Sequence, residues 1–228
     1  MNHQHNDRLI KSQLLGVQST RAEGQAMRIV KSIMAKVSLL LLSLVVTSGM
    51  ALANHSDLVS NGVKLARDAK KQIGVTTSYD PTYRKIDFPR GDVPIESGVC
   101  TDVVIRAYRL QNIDLQQLVN HDMQKNWDKY PKIWGLTKPD KNIDHRRVPN
   151  LEVFFAEHGE SLSRTDIESF KAGDIVTWRL PKSNLPHMGI VSNKRTAEGT
   201  PLIVHNIGRG TQQEDILFKF PIKGHYRY

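Results

Sequence analysis

A single cysteine, Cys100, and nine histidines define the chemistry open to this 228-residue chain. One thiol excludes an intramolecular disulfide and any multi-cysteine metal site. It leaves nucleophilic catalysis, or an inert buried sulfur, since free cysteine is among the most buried residue types. Cys100 lies in Glu96-Ser-Gly-Val-Cys-Thr-Asp-Val-Val-Ile105, where a loop ending at Gly98 hands over to a helical pattern. A thiol at a helix start sits beside unpaired backbone N–H groups and the positive end of the dipole. Both favour the thiolate, and the N–H groups can stabilise an oxyanion.

A thiolate nucleophile needs an imidazole, and the imidazole needs an orienting partner. His187 opens the run His187-Met-Gly-Ile-Val-Ser192, after a turn holding Pro181 and Pro186. From the first position of a strand it can face a helix N-terminus packed across a sheet, with Gly189 leaving room on the same face. Leu202-Ile-Val-His-Asn206 offers the third group. Either His205 or Asn206 can accept from the His187 ring, and opposite pleat directions allow only one of them.

Other clusters carry weaker signals. Asp144-His145-Arg146-Arg147 could bind an anionic group through a bidentate arginine, or be a solvated loop with capping duties. Gly208-Arg-Gly210 lacks the continuation of a phosphate loop, and Glu157-His158 lacks the second histidine of a zincin. His187, His205 and an aspartate gathering a zinc ion is the metal alternative; no cofactor and no metal is expected. Trp127, Trp134 and Trp178 read as core or groove walls.

These groups need elements to hold them. Val59, Val63, Ala66, Ala69 and Ile73 recur at helical steps, with Gly74 as the stop. Residues 76–98 form a long irregular stretch with three prolines, a length more often functional than idle. Helices are expected from Cys100 through Arg109, after the N-cap Asp114 with Leu115, Val119, Met123 and Trp127 on one side, and after Pro149 with Leu151, Phe154 and Phe155 inward. From Gly173 the pattern changes to strands at 174–180, 187–193, 201–206 and 216–220, with the tail 225–228 as an edge strand. Helices first and strands afterwards argue for one α+β domain with an antiparallel sheet.

The front of the chain reads as a targeting segment. Arg28, Lys31 and Lys36 precede the apolar run 37–46, and Ala51-Leu-Ala53 fits a cleavage site, so 27–53 is expected to be a signal peptide cut after Ala53. A run of ten residues falls short of the about 20 that a bilayer span needs, so no stable membrane anchor is expected after cleavage. Residues 1–26 read as an untranslated or disordered leader. The mature chain, 54–228, keeps a net charge of only +5, which is scattered and implies no nucleic-acid partner. Export also bears on the cysteine: an unpaired thiol in an oxidising compartment is a hazard unless shielded or used.

Gly98-Val-Cys-Thr-Asp-Val-Val104, Gly173-Asp-Ile-Val-Thr-Trp178, His187-Met-Gly-Ile-Val191 and Ile203-Val-His-Asn206 together resemble the segments of NlpC-type cell-wall cysteine peptidases, a papain-like superfamily. More closely, residues 72–228 resemble the YijF-like family of secreted bacterial proteins, grouped with that superfamily. Tyr79-Asp-Pro81, Gly91-Asp-Val-Pro94, Asn142-Ile-Asp-His-Arg-Arg-Val-Pro-Asn150 and Val204-His-Asn-Ile-Gly-Arg-Gly-Thr211 carry that match. The resemblance implies a papain-like single domain with N-terminal helices packed on the sheet, Cys100 as nucleophile, His187 as base and His205 as the orienting residue. It further implies hydrolysis of an amide in peptidoglycan stem peptides, in the periplasm or outside the cell. The peptidases usually have Asp-Cys-Ser-Gly, whereas Val99 precedes and Thr101-Asp102 follows the cysteine here. Asp102 could hold a ligand amine, alongside His145 and Arg146 as substrate-binding candidates, and its charge opposes thiolate formation. The alternatives on the same fold are a non-catalytic module binding wall fragments or a partner protein, and an acyl- or peptidyl-transferase using the same cysteine.

Overall fold

The computed structural model describes residues 61–228; the expected leader, the expected signal peptide and the expected start of the first helix near Val59 lie outside them. Helix α1 covers residues 61–70 and turns Leu65, Ala66 and Ala69 into the core. It stops before Ile73, expected inward from its spacing, which is consequently exposed. The stretch after it is irregular as expected, apart from a short parallel pair, β1 (Ser78–Tyr79) with β2 (Ser97–Gly98). That pair ties the two ends of the loop together.

Helix α2 runs Cys100–Arg109, α3 Leu115–Lys125 and α4 Val148–His158. Local chemistry sets these limits. The Asp114 side chain accepts from the Gln116 N–H at the start of α3. Pro149 occupies the first turn of α4, where its missing N–H costs nothing, and Gly159 ends that helix.

The remaining strands are β3 (Glu160–Ser161), β4 (Ile175–Arg179), β5 (Pro186–Arg195), β6 (Pro201–Asn206), β7 (Thr211–Glu214) and β8 (Ile222–Arg227). They form one six-stranded sheet in the order β3-β8-β4-β5-β6-β7, with every neighbouring pair antiparallel. The protein is thus a mixed structure of helices and an antiparallel sheet. Strand alternation separates two apolar clusters. Ile175, Met188, Ile190 and Val204 pack with Val103, Val104 and Ala107 of α2. Val176, Trp178, Val191 and Ile203 pack with Phe170, Ile216 and Leu217. Each such large side chain contributes about 1.5–3 kcal/mol by leaving water.

Two strand expectations need correction. Residues 216–220 are a turn, not a strand; Ile216 and Leu217 are buried there as a plug under the sheet, and the Trp178 indole N–H donates to the Leu217 carbonyl at 2.9 Å. The strand in that region is β7, whose sequence Thr-Gln-Gln-Glu has no apolar alternation. The tail is not at an edge either, because β8 pairs with β4 on one side and β3 on the other.

Candidate active site

Val99, in extended conformation, precedes the first turn of α2 and leaves Cys100 as its first residue. The Asp102 carboxylate reaches back to accept from the Val99 N–H at 2.6 Å, half of a capping box. The same carboxylate accepts from Arg146 Nε at 2.9 Å and Nη2 at 2.8 Å, a bidentate pair with both side chains almost wholly buried. Thr101 Oγ1 donates to the Arg146 carbonyl at 3.0 Å. The nucleophile's turn is therefore stapled to the 3-10 turn Asp144–Arg146.

A second clamp comes from the sheet. Asn206 Nδ2 donates to the carbonyls of Ser78 and Gly98, each at 3.0 Å, holding the strand pair that leads into Cys100. A third is the Met188 backbone N–H, which points at the Cys100 sulfur. Cys100 as a residue is only 4% exposed. Burial pushes its pKa up to about 11, and the Asp102 charge adds to that; the N–H groups of Met188, Thr101 and Cys100 pull the other way and lose. The helix end thus acts in the expected direction, but desolvation outweighs it and the resting group is a thiol.

His187 and His205 come together. His187 Nε2 lies 2.9 Å from His205 Nδ1, both rings are buried, and the His187 ring packs against Trp178 with centroids 5.7 Å apart. Burial, then His205, drops the pKa of His187 to about 3. Gly189 makes this approach possible, since a Cβ there would stand 2.6 Å from Ile203 Cγ2 and 3.1 Å from His205 Cβ. Beyond His205 the chain of contacts continues to Glu214, with His205 Nε2 2.9 Å from Glu214 Oε2. The choice between His205 and Asn206 resolves by pleat: His205 meets His187, and the next residue holds the Cys100 loop instead.

The thiol and the imidazole are not presented as expected. Alternation along β5 sends Met188 and Ile190 into the cluster under α2, and the His187 ring toward Trp178. Among the described residues, no hydrogen bond joins Cys100 to His187; what β5 brings to the sulfur is the N–H of the adjacent residue.

Cys100 forms part of the wall of a cavity of about 340 Å³, shared with Tyr79, Trp134, Arg147, Val148 and Leu185. The Tyr79 hydroxyl is held up at about 12, first by burial and then by Cys100 and Asp102. The Arg147 guanidinium lies over the Trp134 ring at 4.1 Å and pairs with Asp144 at 2.8 Å. Of the three expected substrate-binding residues, Arg146 also lines the cavity, but its Nε and Nη2 are engaged by Asp102. His145 is 2% exposed, does not line the cavity, and is held at about pKa 3 by burial and by Arg146. The bidentate arginine that the loop promised thus serves an internal carboxylate. Arg147 was named by sequence only as a member of its polar cluster and Tyr79 only within a family-match segment, neither as a site residue; Glu214 was not named, since a glutamate in a polar tetrapeptide gives no signal. Among the described residues, no group of three or more His, Cys, Asp or Glu is arranged to hold a metal ion.

The model of a domain of unknown function, DUF1287, matches residues 66–228. The chain belongs to that family. This DUF1287 chain is also 52% identical over 170 residues to the protein named uncharacterized protein YijF of Escherichia coli strain K12, covering 74% of this chain and 82% of that one. Among solved structures it is similar to NlpC1 of Trichomonas vaginalis, with a TM-score of 0.41 and 15% identity over 73% of this chain and 44% of the other. An N-acetylmuramoyl-L-alanine amidase of Bacteroides uniformis gives 0.40 and 14% identity over 74% of this chain and 98% of that one. The chain spans less than half the length of the Trichomonas protein.

Proposed function

We propose that this domain is an exported thiol hydrolase of papain-like architecture that cleaves an amide bond in peptidoglycan stem peptides. One observation carries the reading: a lone cysteine at a helix start lines a cavity and touches the backbone N–H next to a histidine that is itself bonded to a second histidine. The resemblance of the cysteine, histidine and sheet segments to NlpC-type peptidases supports the substrate class, and the segment 27–53 supports action in the periplasm or outside the cell.

His187 Nε2 is occupied by His205, so Nδ1 is the atom left to serve the thiol. As the Cys100 sulfur bonds to the substrate carbonyl carbon, its proton passes to His187 Nδ1. The carbonyl electrons move onto an oxyanion that the Cys100 N–H can meet. Collapse expels the amine, which takes the proton from His187; water then hydrolyses the thioester by the same steps. The resting state is a neutral thiol and a neutral imidazole with no hydrogen bond between them, and proton transfer requires that contact to form in the substrate complex, where catalytic contacts commonly tighten.

The buried thiol, without a hydrogen bond to His187, also favours a second reading, a binding module that keeps the cavity without the chemistry. Digestion separates the two. Purified peptidoglycan is incubated with the protein and with Cys100→Ala and His187→Ala variants, and the fragments are identified by mass spectrometry. New stem-peptide ends with the native protein and none with either variant support the hydrolase. Cleavage that persists in Cys100→Ala, or sedimentation with the wall and no cleavage by any form, sinks it.

A further inference from the structure

The polar edge strand β7 carries a carboxylate that the steps above do not use. Glu214 Oε2 lies 2.9 Å from His205 Nε2, and Glu214 Oε1 accepts from Arg209 Nη2 at 2.7 Å. Register explains the contact: Glu214 stands opposite Ile203 and Gln212 opposite His205, so Glu214 and His205 are diagonal neighbours on one face of the β6–β7 ribbon. We propose that Glu214 is a positioning residue that fixes the tautomer of both histidines, and so decides which nitrogen of His187 can take the Cys100 proton.

The assignment follows from donor and acceptor inventory. A carboxylate only accepts. Burial pushes Glu214 up, but the Arg209 hydrogen bond and His205 more than reverse it, so the group stays ionised. His205 Nε2 must then carry a hydrogen. Burial works against a second proton on His205, with Lys219 and Arg209 adding to that and Glu214 opposing it. The neutral ring offers Nδ1 as an acceptor, which lies 2.9 Å from His187 Nε2. His187 Nε2 therefore carries its ring's hydrogen, and Nδ1 keeps a free lone pair. The tautomers depend only on these contacts; their consequence for rate rests on the hydrolase reading.

Arg209 makes the test sharp. In Glu214→Gln, Arg209 Nη2 can bond the amide only through its carbonyl oxygen, and keeping that contact turns the amide –NH2 toward His205 Nε2. That nitrogen must then accept, its hydrogen moves to Nδ1, and His187 is driven to carry hydrogen on Nδ1, where it can no longer take a proton from the thiol. Nitrogen-15 NMR of histidine-labelled protein reads this directly. The native protein should show Nε2–H on His187 and His205, and Glu214→Gln should show Nδ1–H on both. The double variant Glu214→Gln/Arg209→Leu, whose amide is free to turn, should return to Nε2–H. Peptidoglycan cleavage should fall by about 10²–10⁴-fold in Glu214→Gln, as expected for a base held in the wrong tautomer, and most of it should return in the double variant. Nδ1–H in the native protein, or tautomers unchanged in both Glu214→Gln and a folded Glu214→Leu, would overturn the inference. Tautomers that switch as described in a protein that cuts nothing would support the inference while sinking the hydrolase.

Discussion

Replacing Arg146 by methionine should be among the most damaging single changes outside the apolar core. The guanidinium and the Asp102 carboxylate are each about 96% removed from water, joined by two hydrogen bonds of 2.9 and 2.8 Å. Methionine fills similar volume but leaves the carboxylate with the Val99 N–H as its remaining partner. Breaking a buried pair from one side costs about 3–5 kcal/mol, chiefly because a charge stays behind unpaired. With a urea slope of about 2 kcal/mol per M, the unfolding midpoint should drop by about 1.5–2.5 M at unchanged slope. Asp102→Leu/Arg146→Met removes both charges and should lose less than the two single variants added together, with a coupling of about 0.5–3 kcal/mol. Urea titrations followed by tryptophan fluorescence and far-ultraviolet circular dichroism measure all four proteins. A shift under about 0.5 M for Arg146→Met would refute the reasoning, since it would mean that water reaches Asp102. Additive losses in the cycle would equally show that the two side chains act separately.

Further expectations follow from burial and close approach. Gly189→Ala places a methyl 2.6 Å from Ile203 Cγ2 and 2.9 Å from the Val204 carbonyl, which should cost about 1–3 kcal/mol through overpacking. It should also part the two imidazoles; an unchanged melting curve together with an intact His187–His205 NMR signature would count against that account. Iodoacetamide should alkylate Cys100 slowly at neutral pH and faster through pH 9–11, because burial lifts the thiol to about 11 and thiolate appears only as pH approaches that value. A rate that levels off by pH 8 would show the helix end winning over desolvation after all.

How far the sequence reaches depends on the range of the force involved. α2, α4 and the start of α3 were legible almost to the residue, the last two because those ends are made locally, by Asp114 at a cap, Pro149 in a first turn and Gly159 at a stop; α3 itself ends at Lys125, short of Trp127, which lies in a separate 3-10 turn. The strands β4, β5 and β6 were legible because both faces of the sheet are buried and their residues are accordingly apolar. By the same rule β7 was missed and the 216–220 turn was misread as a strand. Hydrophobicity reports burial, and here the buried segment is a turn while the strand beside it is polar. The candidates Cys100 and His187 came from residue type and position in the chain, and the preference for His205 over Asn206 from the family resemblance. Their relations did not: the bond from His205 to His187, the loop clamp by Asn206 and the pairing of Asp102 with Arg146 join residues 18, 108 and 44 positions apart. Tertiary structure also set the charge state of the thiol. A helix N-terminus is a local feature that favours the anion, but exclusion of water is a property of everything packed around it, and that is the larger effect.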